Sequence, residues 1–273
     1  MSNTYKKLAV LGHPIAQSKS PLIHEYWIKK YGVEGAYGAI DIHPDDLEKD
    51  FGALITEGYT GLNVTAPHKE TIRKYCDYFD DAAYEIGAVN TLHIKDDKLH
   101  GSNTDAYGFA MNLETSFPDF NWTKGPAVIL GAGGAARAVA FALKEKNVPV
   151  MKICNRTIFK ASNIAADMGG FVMPWEERRE AIKNCNLLIN TTSLGMVGKD
   201  SLDMKLDVLP HDAVVYDLVY APLMTPFLLD AEARGNKVVT GIGMLLYQAQ
   251  KAFETWYGIL PDVDEDLRKI VLQ

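Results

Sequence analysis

Pro126-Ala127-Val128-Ile129-Leu130 runs directly into Gly131-Ala132-Gly133-Gly134-Ala135-Ala136-Arg137. The first five residues are apolar and partly β-branched, as in a buried strand, and residues 135–146 carry helical spacing. The junction reads G-x-G-x-x-A, a pattern that acquires meaning when a strand precedes it and a helix follows. Gly131 permits the tight turn, Gly133 lets the backbone approach a pyrophosphate, and Ala136 allows the helix to lie close on the sheet. Free N–H groups at Gly134 and Ala135, with the positive end of the helix dipole, then face the anion. This stretch predicts a dinucleotide-binding βαβ unit.

Working outward, short apolar runs at residues 8–11, 61–64, 150–154, 187–190, 214–218 and 238–240 read as further buried strands. Helical spacing falls between them, as at 227–234, and this alternation implies βαβ units and a mostly parallel sheet. One stretch breaks the pattern. Residues 90–94 and 98–101 flank Lys95-Asp96-Asp97 and read as an antiparallel hairpin. A domain edge is expected just after it, near residues 102–105, followed by a helix at 106–113 and a connector at 116–124. Two helical patterns close the chain, 244–256 and 264–271, and pattern alone assigns them to neither domain.

The strand at 150–154 ends in Asn155-Arg156-Thr157. An NAD site carries an acid about here to bind the ribose 2′-hydroxyl. None stands in this tripeptide, and the planar fork of Arg156 suits a 2′-phosphate, which favours NADP.

The N-terminal half repeats the strand–turn–helix arrangement. Gly12-His13-Pro14-Ile15-Ala16-Gln17-Ser18-Lys19-Ser20-Pro21 follows the first strand. Ser20 and Pro21 fit a helix cap and first turn. Ser18 is not explained that way, and two hydroxyls in a loop beyond a strand's carboxyl end suit a polyhydroxylated ligand. The second such loop is Asn63-Val64-Thr65-Ala66-Pro67-His68-Lys69-Glu70. Here Pro67 is expected to open a helix and put Lys69 in its first turn, against the macrodipole. A lysine so placed is a candidate proton donor or acceptor, and an exposed lysine balanced by Glu70 is the plain alternative. Asp105, at the start of the next helix, is favoured by the dipole there. It reads either as a cap or as the partner of Lys69 in an acid–base pair.

Composition bounds the rest. The chain has 273 residues, 28 Lys plus Arg against 35 Asp plus Glu, and a net charge of −7. That balance argues against a broad nucleic-acid surface. Cys76, Cys154 and Cys185 are too few and too scattered for a disulfide framework or a zinc site. The seven histidines show no metal-binding spacing, so no metal is expected. The polar start at residues 1–7 leads into an apolar run too short for a signal peptide, and no segment has the length of a membrane span. A cytoplasmic protein is expected, with a small-molecule substrate and no nucleic-acid or membrane partner.

Taken in order, these motifs resemble the shikimate dehydrogenase family over nearly the whole chain. The carriers are Ser18 to Pro21, Asn63-Val64-Thr65 with Lys69, Gly87-Ala88-Val89-Asn90-Thr91, and Asn103-Thr104-Asp105 with Gly108. They continue with Gly131 to Arg137, Asn155-Arg156-Thr157, Asn190-Thr191-Thr192-Ser193, Tyr220-Ala221-Pro222 with Thr225, and Gly243-Met244-Leu245 with Gln248-Ala249. The resemblance implies an α/β protein. It has an N-terminal α/β substrate domain, residues 1–104 joined by 241–273, and a Rossmann-like NADP-binding domain, residues 105–240. The C-terminal helices return to the first domain. It also implies reversible reduction of 3-dehydroshikimate with NADPH. Lys69 and Asp105 would be the catalytic pair. Ser18, Ser20, Thr65, Asn90, Tyr220 and Gln248 would bind substrate. Gly131, Gly133, Gly134, Ala135 and Thr191 would hold the cofactor, with Gly241 at the nicotinamide and Asn155, Arg156 and Thr157 at the 2′-phosphate. Lys160 stands where relatives often carry a second arginine, which softens the preference for NADP. His68 departs from many relatives. A quinate or quinate/shikimate dehydrogenase using NAD, and a non-catalytic dinucleotide sensor, are the competing readings. The chain is expected to be a monomer or homodimer.

Overall fold

The structure, a computed structural model, describes residues 5–273. Residues 1–4 of the polar start lie outside it. The elements run β1 (Lys6–Gly12), α1 (Ser20–Tyr31), β2 (Gly35–Asp41), α2 (Leu47–Thr56), β3 (Gly61–Val64), β4 (Tyr78–Phe79), α3 (Asp81–Ile86), β5 (Thr91–Lys95) and β6 (Lys98–Ser102). They continue with α4 (Asp105–Ser116), β7 (Ala127–Leu130), α5 (Gly134–Glu145), β8 (Met151–Asn155), α6 (Ile158–Met168), β9 (Phe171–Pro174) and α7 (Arg178–Ala181). The last are β10 (Leu187–Asn190), β11 (Val214–Asp217), α8 (Pro226–Ala233), β12 (Lys237–Val239), α9 (Ile242–Tyr257) and α10 (Glu265–Leu272). The chain divides into two compact units. One takes the residues up to Thr104 and those from Leu246 onward, and the other takes Asp105–Leu245.

The first unit is built on a mixed sheet ordered β2-β1-β3-β5-β6-β4. β1 pairs in parallel with β2 and β3, and the β5–β6 hairpin adds to β3 antiparallel. Asp96 and Asp97 carry the hairpin turn at φ 51° and 56°. Two positive φ values match the strand twist, as in a type I′ turn, and Asp tolerates that region better than most residues. One face of this sheet buries Leu11, Leu62, Val64, Leu92, Phe51 and Ile72. The other buries Leu8, Val10, Tyr37, Ala252 and Trp256, so α9 covers it. Trp256 Nε1 donates to the Leu92 carbonyl at 2.9 Å. Trp27 Nε1 reaches the Asp262 carbonyl at 2.9 Å, and Asp264 caps α10 while taking Lys30 at 2.6 Å and Tyr26 at 2.8 Å. Burial alone would raise the Asp264 carboxyl pKa, but Lys30 and these hydrogen bonds outweigh it and hold it at about 2. These contacts fasten the C-terminal segment to the first unit.

A β-carbon at Gly61 would fall on the Trp256 indole. Gly61→Ala is therefore expected to lower stability by about 1–3 kcal/mol through overpacking. The urea midpoint measures this, and an unshifted midpoint would mean that the indole can relocate at no cost.

His24 on α1 is fully buried in the same layer. Its ring stacks on Tyr37 at 4.2 Å and 13°, with Trp27, Trp256 and Phe253 also around it. Neither ring nitrogen has a hydrogen-bond partner. Burial pushes the imidazole pKa down to about 3, and the nearby Asn63 amide offsets little of this.

The second unit is an all-parallel sheet ordered β12-β11-β10-β7-β8-β9. The order reverses between β7 and β10, the switch point of a doubly wound Rossmann-like fold. Val128, Leu130, Leu188, Val215, Phe227 and Leu228 share a core on one face. The strands read from sequence are present with ends shifted by a residue or so.

Cys154 and Cys185 lie within the second unit's core, and Cys76 is half-buried in the first. Burial raises the thiol pKa to about 12 at Cys154 and Cys185, and to about 11 at Cys76. No helix among the described residues is long and apolar enough to cross a membrane. No cluster of three or more potential metal ligands occurs among them.

Candidate active site

In the first unit, four loops meet at one end of the sheet: those following β1, β3 and β6, and the one entering β5. The register requires this, since Leu11 pairs with Val64, Asn63 with Thr91, and Thr91 with Ser102. Ligands bind beyond the carboxyl ends of parallel strands in such sheets.

The β1 loop carries Ser18 and Ser20. Asp41, at the end of β2, clamps its base. One carboxylate oxygen sits 2.5 Å from His13 Nδ1 and the other accepts from the Ile15 N–H at 3.2 Å. These bonds hold the Asp41 carboxyl below the usual carboxylate range. The expected cap at Ser20 is not what forms. Ser20 is already helical, Lys19 occupies the cap position without a side-chain bond, and Ser18 Oγ accepts from the Ser20 N–H at 3.3 Å. The capping role moves back two residues, so helix capping no longer accounts for the Ser20 hydroxyl.

The β3 loop carries Thr65 and Lys69. The Thr65 N–H donates to Leu11 O at 2.8 Å, and His13 N–H donates to Ala66 O at 3.1 Å, which ties this loop to the first. The expected helix from Pro67 is absent. Residues 65–68 close a tight turn, with His68 N–H donating to Thr65 O at 3.0 Å, and only a short 3₁₀ helix, Thr71–Tyr75, follows. Lys69 therefore precedes the helix and does not oppose a macrodipole. His68 finds its account here. It is buried, and its Nε2 lies 2.7 Å from Ile42 O, so the ring must donate there and is a structural anchor. On the far side of Lys69, its own carbonyl accepts from the Val89 N–H at 2.8 Å. The lysine is half-buried on a backbone fixed from both sides.

Val89 leads into Asn90, whose amide orientation is dictated by the backbone. The Thr104 N–H can only donate, and it does so to Asn90 Oδ1 at 2.9 Å. Asn90 Nδ2 must then face Thr104 Oγ1, at 3.0 Å. Thr104 Oγ1 also lies 3.5 Å from Gln248 Oε1 on α9. A second amide supports the first. Asn63 Nδ2 donates to Asn90 O and Thr91 Oγ1, each at 3.1 Å, so its Oδ1 must accept from Tyr37, at 2.7 Å. Burial raises the Tyr37 phenol pKa further, which keeps it a donor. Ser18, Thr65, Lys69 and Asn90 thus belong to one group of loops in one unit, joined by Ser20 at the start of α1 and by Gln248 on α9. Thr104 and Tyr37 were missed as supports. Asn63, a polar residue in an otherwise apolar strand, was their only signal.

In the second unit, Asp105 is the first residue of α4 and largely buried. The glycine turn after β7 has the form the sequence predicts. Gly131 has φ 109°, and a β-carbon there would strike Thr191 Oγ1 at 2.7 Å. A β-carbon at Gly133 or Gly134 would meet nothing within 4 Å. The cap residue of α5 is Gly133, which offers no side-chain cap to the first N–H groups. This is a fitting cradle for a pyrophosphate, with Ala135 in the first turn. Thr191 Oγ1 donates to Leu130 O at 2.8 Å, which fixes the next loop against the turn. After β8, Asn155 Nδ2 donates to Thr157 O at 2.8 Å, and Arg156 and Lys160 are exposed at the start of α6, whose N-terminus also lacks a side-chain cap. These cations suit a 2′-phosphate. Gly241 lies against the Leu218 and Val219 carbonyls with no room for a side chain, and Tyr220 is half-buried with its phenol pKa raised by burial.

Three family models match the chain. They are the shikimate dehydrogenase substrate binding domain over residues 10–92, shikimate / quinate 5-dehydrogenase over 113–204, and the shikimate 5′-dehydrogenase C-terminal domain over 241–270. The shikimate dehydrogenase (NADP(+)) of Paramagnetospirillum magneticum is 47% identical over 275 residues, covering 100% of each chain. Shikimate 5-dehydrogenase from Thermus thermophilus, solved in complex with NADP(H) and shikimate, is 38% identical with a TM-score of 0.87, covering 97% of this chain and 98% of that one. Quinate dehydrogenase from Corynebacterium glutamicum, solved with NAD, is 28% identical with a TM-score of 0.91, covering 98% and 99%.

Proposed function

The chain belongs to the shikimate dehydrogenase family, and from that premise we propose that it catalyses the reversible, NADP-dependent reduction of 3-dehydroshikimate to shikimate. One observation carries the reading: Lys69 is fixed beside Asn90 by the bond between its carbonyl and Val89, within the unit that also holds Ser18, Ser20, Thr65 and Gln248. A proton-transferring amine among hydroxyl and amide groups fits a carbonyl substrate that carries several hydroxyls.

When bound, NADPH supplies the hydride for the C3 ketone. The remaining work falls to the chain. Ser18, Ser20, Thr65, Asn90, Tyr220 and Gln248 hold the substrate's carboxylate and hydroxyls. Lys69 delivers a proton to the oxygen that becomes the C3 hydroxyl. Asp105 accepts a hydrogen bond from the substrate. Gly131, Gly133, Gly134 and Ala135 seat the pyrophosphate, Thr191 holds the neighbouring loop, and Gly241 brings backbone to the nicotinamide. Asn155, Arg156 and Thr157 hold the 2′-phosphate. We place the enzyme in the cytoplasm, as a monomer or homodimer.

Steady-state formation of NADPH from shikimate tests the reading. Faster turnover of quinate with NAD would replace it by the quinate dehydrogenase reading, and tight NADP binding with no turnover of either acid by the sensor. For the cofactor, Arg156→Ala is expected to raise KM for NADP by about 10- to 100-fold, as for a lost charge-assisted hydrogen bond, while KM for NAD barely moves. Equal effects on both would remove Arg156 from the 2′-phosphate site.

A further inference from the structure

Asp217 ends β11, is fully buried, and has no basic side chain among its partners. A buried carboxylate without a cation is costly, and burial does raise its pKa, although three hydrogen bonds oppose the shift. Those bonds come from the end of β10 and from two points along the β11–α8 connection. Asn190 Nδ2, at the end of β10, donates to Oδ1 at 2.9 Å. The Val219 N–H, next to Tyr220, donates to the same oxygen at 3.0 Å. Thr225 Oγ1, the cap of α8, donates to Oδ2 at 2.7 Å while accepting from Leu228 N–H.

The network continues toward the glycine turn. Asn190 Oδ1 accepts from the Thr192 N–H at 3.0 Å and from its hydroxyl at 2.7 Å, and Asn190 Nδ2 also donates to Leu194 O at 3.2 Å. Thr191 is bonded to Leu130 O through both its N–H and its hydroxyl, directly against Gly131. What only a carboxylate offers is acceptors on both of its arms, so that donors from the end of β10 and from both ends of the β11–α8 connection converge on one rigid group.

We propose that Asp217 is a positioning residue that locks the Tyr220 segment and the Thr191–Leu194 loop into one bracket beside the glycine turn. The proposal rests on the reading of Thr191 as cofactor-holding and Tyr220 as substrate-binding. Asparagine at 217 keeps the size but turns one acceptor arm into a donor. Asp217→Asn is expected to weaken NADP binding, measured by calorimetric titration without turnover, by about tenfold, and to raise KM for shikimate by a similar factor. A lost hydrogen bond that served only the strand would lower the urea midpoint and leave both constants unchanged in the folded protein, which overturns the proposal. If Asp217→Asn does not fold, Thr225→Val decides. Loss of the hydroxyl should shift both constants in the same direction, and Thr225→Ser should restore them, whereas an unshifted Thr225→Val overturns the proposal. Because the titration needs no turnover, a chain that oxidises neither shikimate nor quinate would end the dehydrogenase reading while the effect on NADP binding is still measured.

Discussion

Lys69→Ala is expected to lower kcat for shikimate oxidation by about 10²–10⁴-fold, the range for loss of a positioned general acid or base. KM for shikimate should change far less, because hydroxyl and amide groups around the lysine supply most of the proposed ground-state contacts. The backbone explains why the substitution is clean. The turn at 65–68, the His68 ring on Ile42 O, and the Lys69 carbonyl on Val89 N–H are all independent of the lysine side chain. The fold should therefore survive, and the urea midpoint should stay near that of the parent protein. Lys69→Arg separates two roles, since it keeps a charge but gives up a proton far less readily. If the lysine only stabilises the developing oxyanion, the arginine variant should keep much of the rate. If it transfers the proton, that variant should be nearly as slow as alanine. Near-native kcat in Lys69→Ala would remove position 69 from the chemistry altogether.

The second large effect concerns stability in acid. In the unfolded chain His24 takes up a proton at its ordinary pKa of 6.5, whereas the folded chain keeps it neutral down to about 3. Between those values the unfolded state binds more protons, so stability rises with pH. The contribution is complete above pH 6.5 and is lost as the pH falls toward 3. A shift of that size corresponds to about 5 kcal/mol over the full window. His24→Phe removes the titrating group and keeps a ring against Tyr37, so its stability should be nearly flat where the parent declines from about pH 6.5 to 4. The variant should also be no less stable at neutral pH, because two buried nitrogens without partners are replaced by carbon. Chemical denaturation across that pH range is the measurement. Parallel curves for the two proteins would show that protonation elsewhere governs the acid limb.

What could be read from sequence followed from local rules. The glycine turn after β7 was legible because strand, glycines and helix are contiguous and each residue has its own steric reason. The hairpin was legible because Asp96 and Asp97 stand between two alternating runs. β2 was not legible, since it is an edge strand that buries only Tyr37 and so carries no apolar run. The short helix after Lys69 was misplaced because Pro67 fits a tight turn as well as a helix start. The supports of the site were the least visible. Tyr37 bonds Asn63 from 26 residues away, Thr104 bonds Asn90 from 14, and Asp217 bonds Asn190 from 27. Only the register of the strands brings these partners together.

The raised pKa values of the thiols at 76, 154 and 185 have a practical corollary. A thiolate is the species that maleimides capture, and almost none forms at these three positions near neutrality. A cysteine engineered onto an exposed helix face could therefore carry a fluorophore or spin label by itself, with the native sulfurs left in place as silent bystanders.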